Sequence, residues 1–368
     1  MVSVLFDAVM SRVRDRPFDI DFAVTNMCNC RCIQCNVWKY YLERPEKVRE
    51  ELTVEEIERI FSSYRGFSIV GITGGEPYMR NDLTDVLTAI ASTQPKLKML
   101  YITTNGQLPG VTEATLRAFM ERYREEGWRF KLIQLVSLDG PKEIHDYIRG
   151  VKGAYDRAME TIETVHRLMD SYGNLEFGTV TVFSPYNIDR IDEVFSEIER
   201  VVDEYGGEPS FCVWFVGQLY KNYELSRDVD VEGFRRKLVA CIPEAIRIVG
   251  RGSALTFGRK MFYVFLSEWL KNPGRQVLPC MAAKVRYFLD PYGNVYPCTV
   301  AELRVGNLRE LGYDFETLFE SEGRRRVRQL VEAEKCPICC NTCETIPTMT
   351  AQPLKTALKL LKIKLVSG

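Results

Sequence analysis

Between residues 18 and 250 a short apolar stretch gives way six times to a longer amphipathic one. The apolar stretches are Phe18–Val24, Ser68–Thr73, Leu97–Thr103, Phe130–Ser137, Leu175–Val182 and Phe211–Val216. Helical patterns follow over Thr53–Tyr64, from about Asp82, and near 112–126, 153–171, 188–204 and 231–249. Thr53 with Glu56 three residues on is a capping box. Strands that alternate with helices imply βα units and a parallel sheet. The expected fold class is α/β: a partial (β/α)6 TIM-like barrel, with an open doubly wound sheet as the alternative. Polar and glycine-rich residues fall where strands finish: Gly74-Gly75-Glu76-Pro77, Thr104-Asn105-Gly106 and Leu138-Asp139-Gly140. In parallel α/β folds the C-terminal strand ends are where sites collect.

The first strand runs into Cys28, Cys32 and Cys35, spaced C-x3-C-x2-C. Three cysteines within eight residues sit too close for ordinary disulfides with one another, but thiolates are the usual ligands of iron–sulfur clusters. A cubane of four irons held by three thiolates keeps one iron open. The chain has 12 cysteines, four of them at 28–35 and six more at 280, 298, 336, 339, 340 and 343. Such clustering reads as metal binding rather than a disulfide framework. With two histidines in all, His145 and His166, a mainly histidine-built metal centre is not expected. Cys30 is set aside as a bystander, and Cys212 and Cys241 as small buried apolar residues.

The remaining composition excludes more than it selects. A length of 368 residues suggests two domains. A net charge of -1 gives no reason to expect nucleic acid as a partner. The N-terminus lacks the basic start and apolar core of a secretory signal, so a cytoplasmic protein is expected.

The expected domains are an N-terminal amphipathic helix (1–17), the βα core (18–250), an aromatic linker helix (251–279), a cysteine-rich domain with a β-hairpin and helices (280–345), and a basic amphipathic C-terminal helix (346–368). The linker carries Phe257, Phe262, Tyr263, Phe265 and Trp269. It reads as a helix buried between domains, or as the apolar wall of a large hydrophobic substrate. The hairpin is signalled by Asp290-Pro291-Tyr292-Gly293 between Val285–Leu289 and Asn294–Pro297, and a single helix is expected over Phe315–Leu330. In the tail, Leu354, Leu358, Leu361 and Leu365 stand against Lys355, Lys359, Lys362 and Lys364. A core-docking helix is one account of that pattern, and peripheral contact with an anionic membrane surface is the other.

Taken together, C-x3-C-x2-C after the first strand, Gly-Gly-Glu-Pro after the second and Ser137-Leu-Asp139-Gly140 after the fourth resemble the radical S-adenosylmethionine superfamily. Cys280, twelve residues, Gly293, four residues and Cys298, followed by Cys336 and Cys339, resemble its members with a SPASM or twitch extension. The resemblance covers about residues 18–345. It implies a [4Fe-4S] cluster on Cys28, Cys32 and Cys35, chelated by S-adenosylmethionine, whose reductive cleavage gives a 5′-deoxyadenosyl radical that takes hydrogen from an unactivated C–H bond. It implies cofactor contacts at Gly74, Gly75, Glu76, Pro77, Asn105, Ser137, Asp139 and Arg149. Turn-shaping for Ser137 and Asp139 and a surface ion pair for Arg149 are the simpler alternatives. One auxiliary [4Fe-4S] cluster is expected on Cys280, Cys298, Cys336 and Cys339, with Cys343 as a substitute for either of the last two. A structural zinc is the alternative.

Family members that oxidise serine or cysteine often carry an acid directly after the second auxiliary cysteine. Thr299 stands there, which argues against that reaction. Asp290, Tyr292 and Tyr296 are weak candidates for proton or radical handling. A peptide side chain is narrowly the favoured substrate, although 27 residues before Cys28 leave no room for a fused peptide-recognition domain. A lipid hydrocarbon chain is the alternative, and a non-catalytic electron-transfer protein a third reading. Reduced ferredoxin or flavodoxin is the expected electron donor.

Overall fold

The computed structural model describes residues 2–213, 230–250, 256–337 and 339–367. Nine strands form one sheet in the order β6-β5-β4-β3-β2-β1-β7-β8-β9. The strands are β1 (Asp19–Ala23), β2 (Ile69–Thr73), β3 (Met99–Thr104), β4 (Lys131–Ser137), β5 (Leu175–Phe183), β6 (Glu208–Val213), β7 (Arg286–Leu289), β8 (Asn294–Tyr296) and β9 (Gly306–Asn307). From β6 to β1 every pairing is parallel. Residues of β1 and of β6 line one cavity, so the sheet curls into a partial barrel. The sixth strand starts three residues earlier than the sequence pattern placed it, and 214–216 lie outside the described residues.

The helices that matter for the site are α1 (Val2–Arg14), the single turn α2 (Tyr40–Glu43), α3 (Val54–Ser63), α4 (Leu83–Thr93), α5 (Pro109–Glu125), α6 (Lys142–Arg149), α7 (Ala154–Ser171), α8 (Ile191–Tyr205), α9 (Val231–Val249), α10 (Thr256–Lys271), α11 (Phe315–Glu320), α12 (Glu322–Glu332), α13 (Thr342–Ala351) and α14 (Pro353–Ser367). The Thr53–Glu56 capping box forms as expected at the start of α3. The single helix expected over 315–330 is two. Ser321 is extended (φ -66, ψ 152) and its hydroxyl caps Arg324 N–H, so a new helix starts where the old one would have continued.

The cysteine-rich segment does not build a separate sheet. β7 pairs in parallel with β1, Asp19 opposite Arg286, and the hairpin β7–β8 and strand β9 extend the barrel's own sheet. A buried ion network joins this seam. Arg286 Nη1 lies 2.6 Å from Asp19 Oδ1, Nη2 bonds Asp21 Oδ2, and Nε lies 3.3 Å from Glu344 Oε2 of α13. All four side chains are at least nine-tenths buried. One guanidinium thus serves three carboxylates from two elements, β1 and α13.

α10 settles the role of the aromatic linker. Phe262, Tyr263, Phe265 and Leu266 are fully buried in the main core, worth about 2 kcal/mol each by area removed from water. The Tyr263 hydroxyl donates to Phe211 O and accepts from Phe211 N–H, both at 2.9 Å. Among the described side chains of α10 only Arg259 reaches the barrel cavity. Phe262, Tyr263, Phe265 and Trp269 are therefore core, not the wall of a hydrophobic site; the side chain of Phe257 lies outside the described residues.

Candidate functional site

The triad loop is clasped from two sides by backbone. On one side the segment after β2 closes on the residues that lead to Cys28: Gly75 N–H donates to Thr25 O (2.7 Å) and Glu76 N–H to Met27 O (2.6 Å). Gly74 has φ +135, and a Cβ there would stand 2.2 Å from Thr25 O; one on Gly75 would stand 2.1 Å from Met27 O. The glycines are needed because two backbone segments touch. Their expected role was approach to a ligand, so the close contact now has a partner within the chain. On the other side, Arg31 N–H donates to Arg149 O (2.9 Å) and Ile33 N–H to Ile148 O (3.0 Å), taking up carbonyls from the last turn of α6.

Cys28, Cys32 and Cys35 are half-buried, and all are free thiols. Cys30 is buried among them and faces the thiols of Cys28 and Cys32. That contact lowers Cys32 to about 7, opposed by burial and helped by Arg149. Burial pushes Cys35 up to about 12. The triad spacing did not reveal the placement of Cys30, because it depends on how the loop curls.

The other rim residues divide into those that meet the thiols and those that hold the rim. Asn105 Nδ2 lies 3.7 Å from Cys28 Sγ and donates to Asn29 Oδ1 at 2.8 Å. Arg149 is not a surface cation. It is buried, its Nη2 lies 2.8 Å from Asp139 Oδ2, and it faces the triad thiols. Its Nε has no hydrogen-bond partner although buried. A guanidinium paired to one carboxylate, with its buried Nε unpartnered beside the triad thiols, fits an anionic ligand there. Glu76 instead faces inward. It accepts from Thr104 Oγ1 (2.7 Å), Asn105 N–H (2.7 Å) and Tyr78 N–H (3.2 Å), tying the ends of β2 and β3, and burial pushes it up to about 7. Pro77 opens the short turn after it, and Ser137 is buried as the last residue of β4.

Inside the barrel is a cavity of about 460 Å³. Asn26, Cys35 and Gly74 bound it on the triad side; Thr299, Thr342 and Cys343 bound it on the side of the cysteine-rich segment. Its wall carries Asp19, Asp21, Tyr101 and Arg286, together with Glu208 and Arg259, which pair at 3.2 Å.

A second, smaller cavity of about 40 Å³ is lined by Cys280, Cys298, Cys336, Cys339 and Cys340, with Glu344. Ala282 N–H points at Cys280 Sγ (3.4 Å) and Ala301 N–H at Cys298 Sγ (3.2 Å). Burial pushes Cys280 up to about 12. Cys343, expected as a substitute ligand here, faces the barrel cavity near Cys212, Asp21 and Arg286. It is the second residue of α13, while Cys340, just before the helix, lines the smaller cavity. Among the described residues no three His, Cys, Asp or Glu side chains converge tightly enough for a single metal ion. A tetrahedral zinc needs its sulfurs about 3.8 Å apart, given Zn–S near 2.3 Å; a cluster spreads its ligands more widely.

The three hairpin candidates for proton or radical handling do not line the barrel cavity. Asp290 is fully buried and accepts from Tyr292 N–H, Asn294 N–H and Asn294 Nδ2, all at 2.7–2.8 Å, so it shapes the turn. Tyr292 donates to Tyr41 Oη (2.7 Å), which donates to Glu51 Oε1 (2.5 Å), and Glu51 in turn receives Asn26 N–H (3.1 Å). Tyr296 packs against Phe288. Sequence reasoning missed Glu344, which receives Thr299 N–H (3.2 Å) and Thr299 Oγ1 (3.4 Å) and is pushed by burial up to about 6. No local signal marks it, since its partners are 45 and 58 residues away.

Residues 22–198 match the Radical SAM superfamily, and residues 280–344 match SPASM, an iron-sulfur cluster-binding domain. The chain belongs to the radical SAM superfamily and carries a C-terminal SPASM domain, the class defined by an S-adenosylmethionine-binding [4Fe-4S] cluster with auxiliary iron–sulfur centres. Its curated relatives include a GTP 3′,8-cyclase of Yersinia pestis, 29% identical over 40% of this chain and 45% of that protein. They also include an AdoMet-dependent heme synthase of Methanosarcina barkeri, 25% identical over 90% of both. The chain spans about half the length of the GTP cyclases it matches. Among solved structures, native anSMEcpe with bound AdoMet and Kp18Cys peptide is similar at TM-score 0.60, with 17% identity over 95% of this chain and 99% of that one. Streptococcus suis SuiB bound to S-adenosylmethionine is similar at 0.58, with 16% identity over 85% and 68%. At these identities the structural likeness is one of fold.

Proposed function

We propose that this chain is a radical SAM enzyme that takes hydrogen from an unactivated C–H bond and oxidises or cross-links a peptide side chain. The observation that carries this reading is the barrel cavity, bounded by Cys35 and Gly74 on one side and by Thr342 and Cys343 of α13 on the other. A substrate held there sits between the triad and the auxiliary segment. On this reading Cys28, Cys32 and Cys35 hold the first cluster, and Cys280, Cys298, Cys336 and Cys339 the auxiliary one. When bound, the first cluster and S-adenosylmethionine supply a carbon radical that starts the chemistry. The chain's own residues do the positioning. Gly74–Glu76 and the end of α6 fix the triad loop, and Arg149 offers a buried donor to an anionic ligand group.

The cavity's charge helps choose the substrate. Both of its described arginines are committed to carboxylates, Arg286 to Asp19 and Asp21 and Arg259 to Glu208. A triphosphate finds no free cation among the described residues of this lumen. A side chain of a peptide, the ligand class named for one structural neighbour, needs none. The lipid-chain alternative loses its main support, because the described aromatic side chains of α10 are core. Reduced ferredoxin or flavodoxin remains the proposed electron donor.

Anaerobic reconstitution with iron and sulfide, followed by dithionite and S-adenosylmethionine, tests the reading. 5′-Deoxyadenosine is the expected product, and its absence with the wild type would overturn the enzyme assignment. Deuterium carried into that product from side-chain-labelled peptides would support a peptide substrate; transfer from labelled acyl chains alone would overturn it.

A further inference from the structure

The C-terminal helix α14 divides into three sectors. Thr356 is buried, and Leu360 and Ile363 pack on the main core. Leu354, Leu358 and Leu361 are 80%, 61% and 58% exposed. At 3.6 residues per turn these three fall within one narrow stripe, roughly opposite the docked face. Lys355, Lys359 and Lys362 fall along one flank between the stripe and the docked face. No acidic residue occurs between Pro353 and Ser367. A helix that served only to dock would not need leucine on its outward side. α1 packs on the same helix, α13, as α14 does, and it exposes Phe6 to 63%.

We propose that α14 seats this protein on an anionic membrane surface, with the leucine stripe inserted below the headgroups and the lysine flank against their phosphates. Charge complementarity identifies the occupant: an apolar stripe with lysines alone beside it matches an interface that is apolar below and negative at the surface. Among the described residues no helix is long and apolar enough to cross a membrane, so the contact is peripheral. The helix stays folded when it binds, because its inner face is already packed. The inference does not depend on the chemistry at the triad.

Flotation of the full chain with vesicles tests it. The protein is expected to float with vesicles of equal parts phosphatidylcholine and phosphatidylglycerol, and to stay behind with phosphatidylcholine alone. Each lysine near an anionic surface is worth about fivefold in affinity, so the triple variant Lys355→Gln, Lys359→Gln, Lys362→Gln should lose about a hundredfold. The variant Leu354→Ser, Leu358→Ser, Leu361→Ser should stop floating while keeping the melting temperature and iron content of the wild type, since the three side chains are exposed. Failure of the wild type to float with anionic vesicles would overturn the proposal. So would flotation undiminished by the leucine substitutions, or a stripe found instead to mediate self-association by light scattering without vesicle binding.

Discussion

The triad site and the auxiliary pocket are both built of cysteine, but they are held in opposite ways. The triad lies on one loop at the barrel rim, clasped by backbone from the β2 end and from α6, and it opens onto a cavity of about 460 Å³. The auxiliary thiols come from residues as far apart as Cys280 and Cys340, and they line a pocket of only about 40 Å³. At the rim a buried donor, Arg149 Nε, is left without a partner. In the pocket backbone N–H groups point at Cys280 and Cys298 sulfur instead. A rim loop with a spare donor suits a site that must admit a small molecule. A small pocket lined by five cysteines, with N–H groups on sulfur, suits a centre whose potential is tuned and whose ligands are all protein.

The largest effect that could break this contrast is at the rim. Replacing Cys28, Cys32 and Cys35 by Ala should abolish 5′-deoxyadenosine formation and remove about half of about eight irons per chain. Loss of all the iron would mean that the two sites do not assemble independently. Next comes the pocket. Cys280→Ala with Cys298→Ala should remove the other half of the iron while S-adenosylmethionine cleavage persists, and Cys343→Ala should keep the full count. If the Cys343 variant lost auxiliary iron, its placement in the barrel cavity would be wrong.

The seam between the two regions should respond to pH. Burial raises the Asp19 and Asp21 carboxyls. Carboxyls with raised folded values cost stability as pH climbs through and above their ordinary value near 4, and they cost nothing well below it. Arg286 offsets that cost. Arg286→Met should therefore destabilise by about 3–5 kcal/mol where these carboxyls are ionised, and the deficit in Tm should shrink as pH falls through about 7, the value to which burial pushes Asp19. A deficit independent of pH would show that packing, not charge, holds the hairpin to β1. The smallest expected effect is at the hairpin turn. Tyr292→Phe removes one hydrogen bond to Tyr41, worth about 1 kcal/mol, and should leave turnover nearly unchanged. An abolished turnover with intact iron would return Tyr292 to the chemistry.

Much of this was legible locally. The α3 capping box was set by neighbours three residues apart, so chain pattern sufficed; the glycine pair was visible as a motif, but the contacts that require it, with Thr25 and Met27, lie on another segment. The split between α11 and α12 was also local and was still missed, since Ser321 reads as an ordinary helix-surface residue until its cap is seen. Glu344 was not readable, because a carboxylate shared with Arg286 and Thr299 leaves no spacing to detect. Nor was the division between Cys340 and Cys343, three residues apart and lining different cavities.

The sequence by itself determined the βα order, the triad and the family, because these depend on periodicity and on ligand spacing along one loop. Only the tertiary structure decided that the cysteine-rich segment continues the barrel's sheet, that the aromatic helix is core, and which cysteine faces which cavity. Those outcomes depend on which surfaces meet across hundreds of residues, as when Arg286 finds Asp19 and Asp21 on the first strand. Burial then fixes what each group can do.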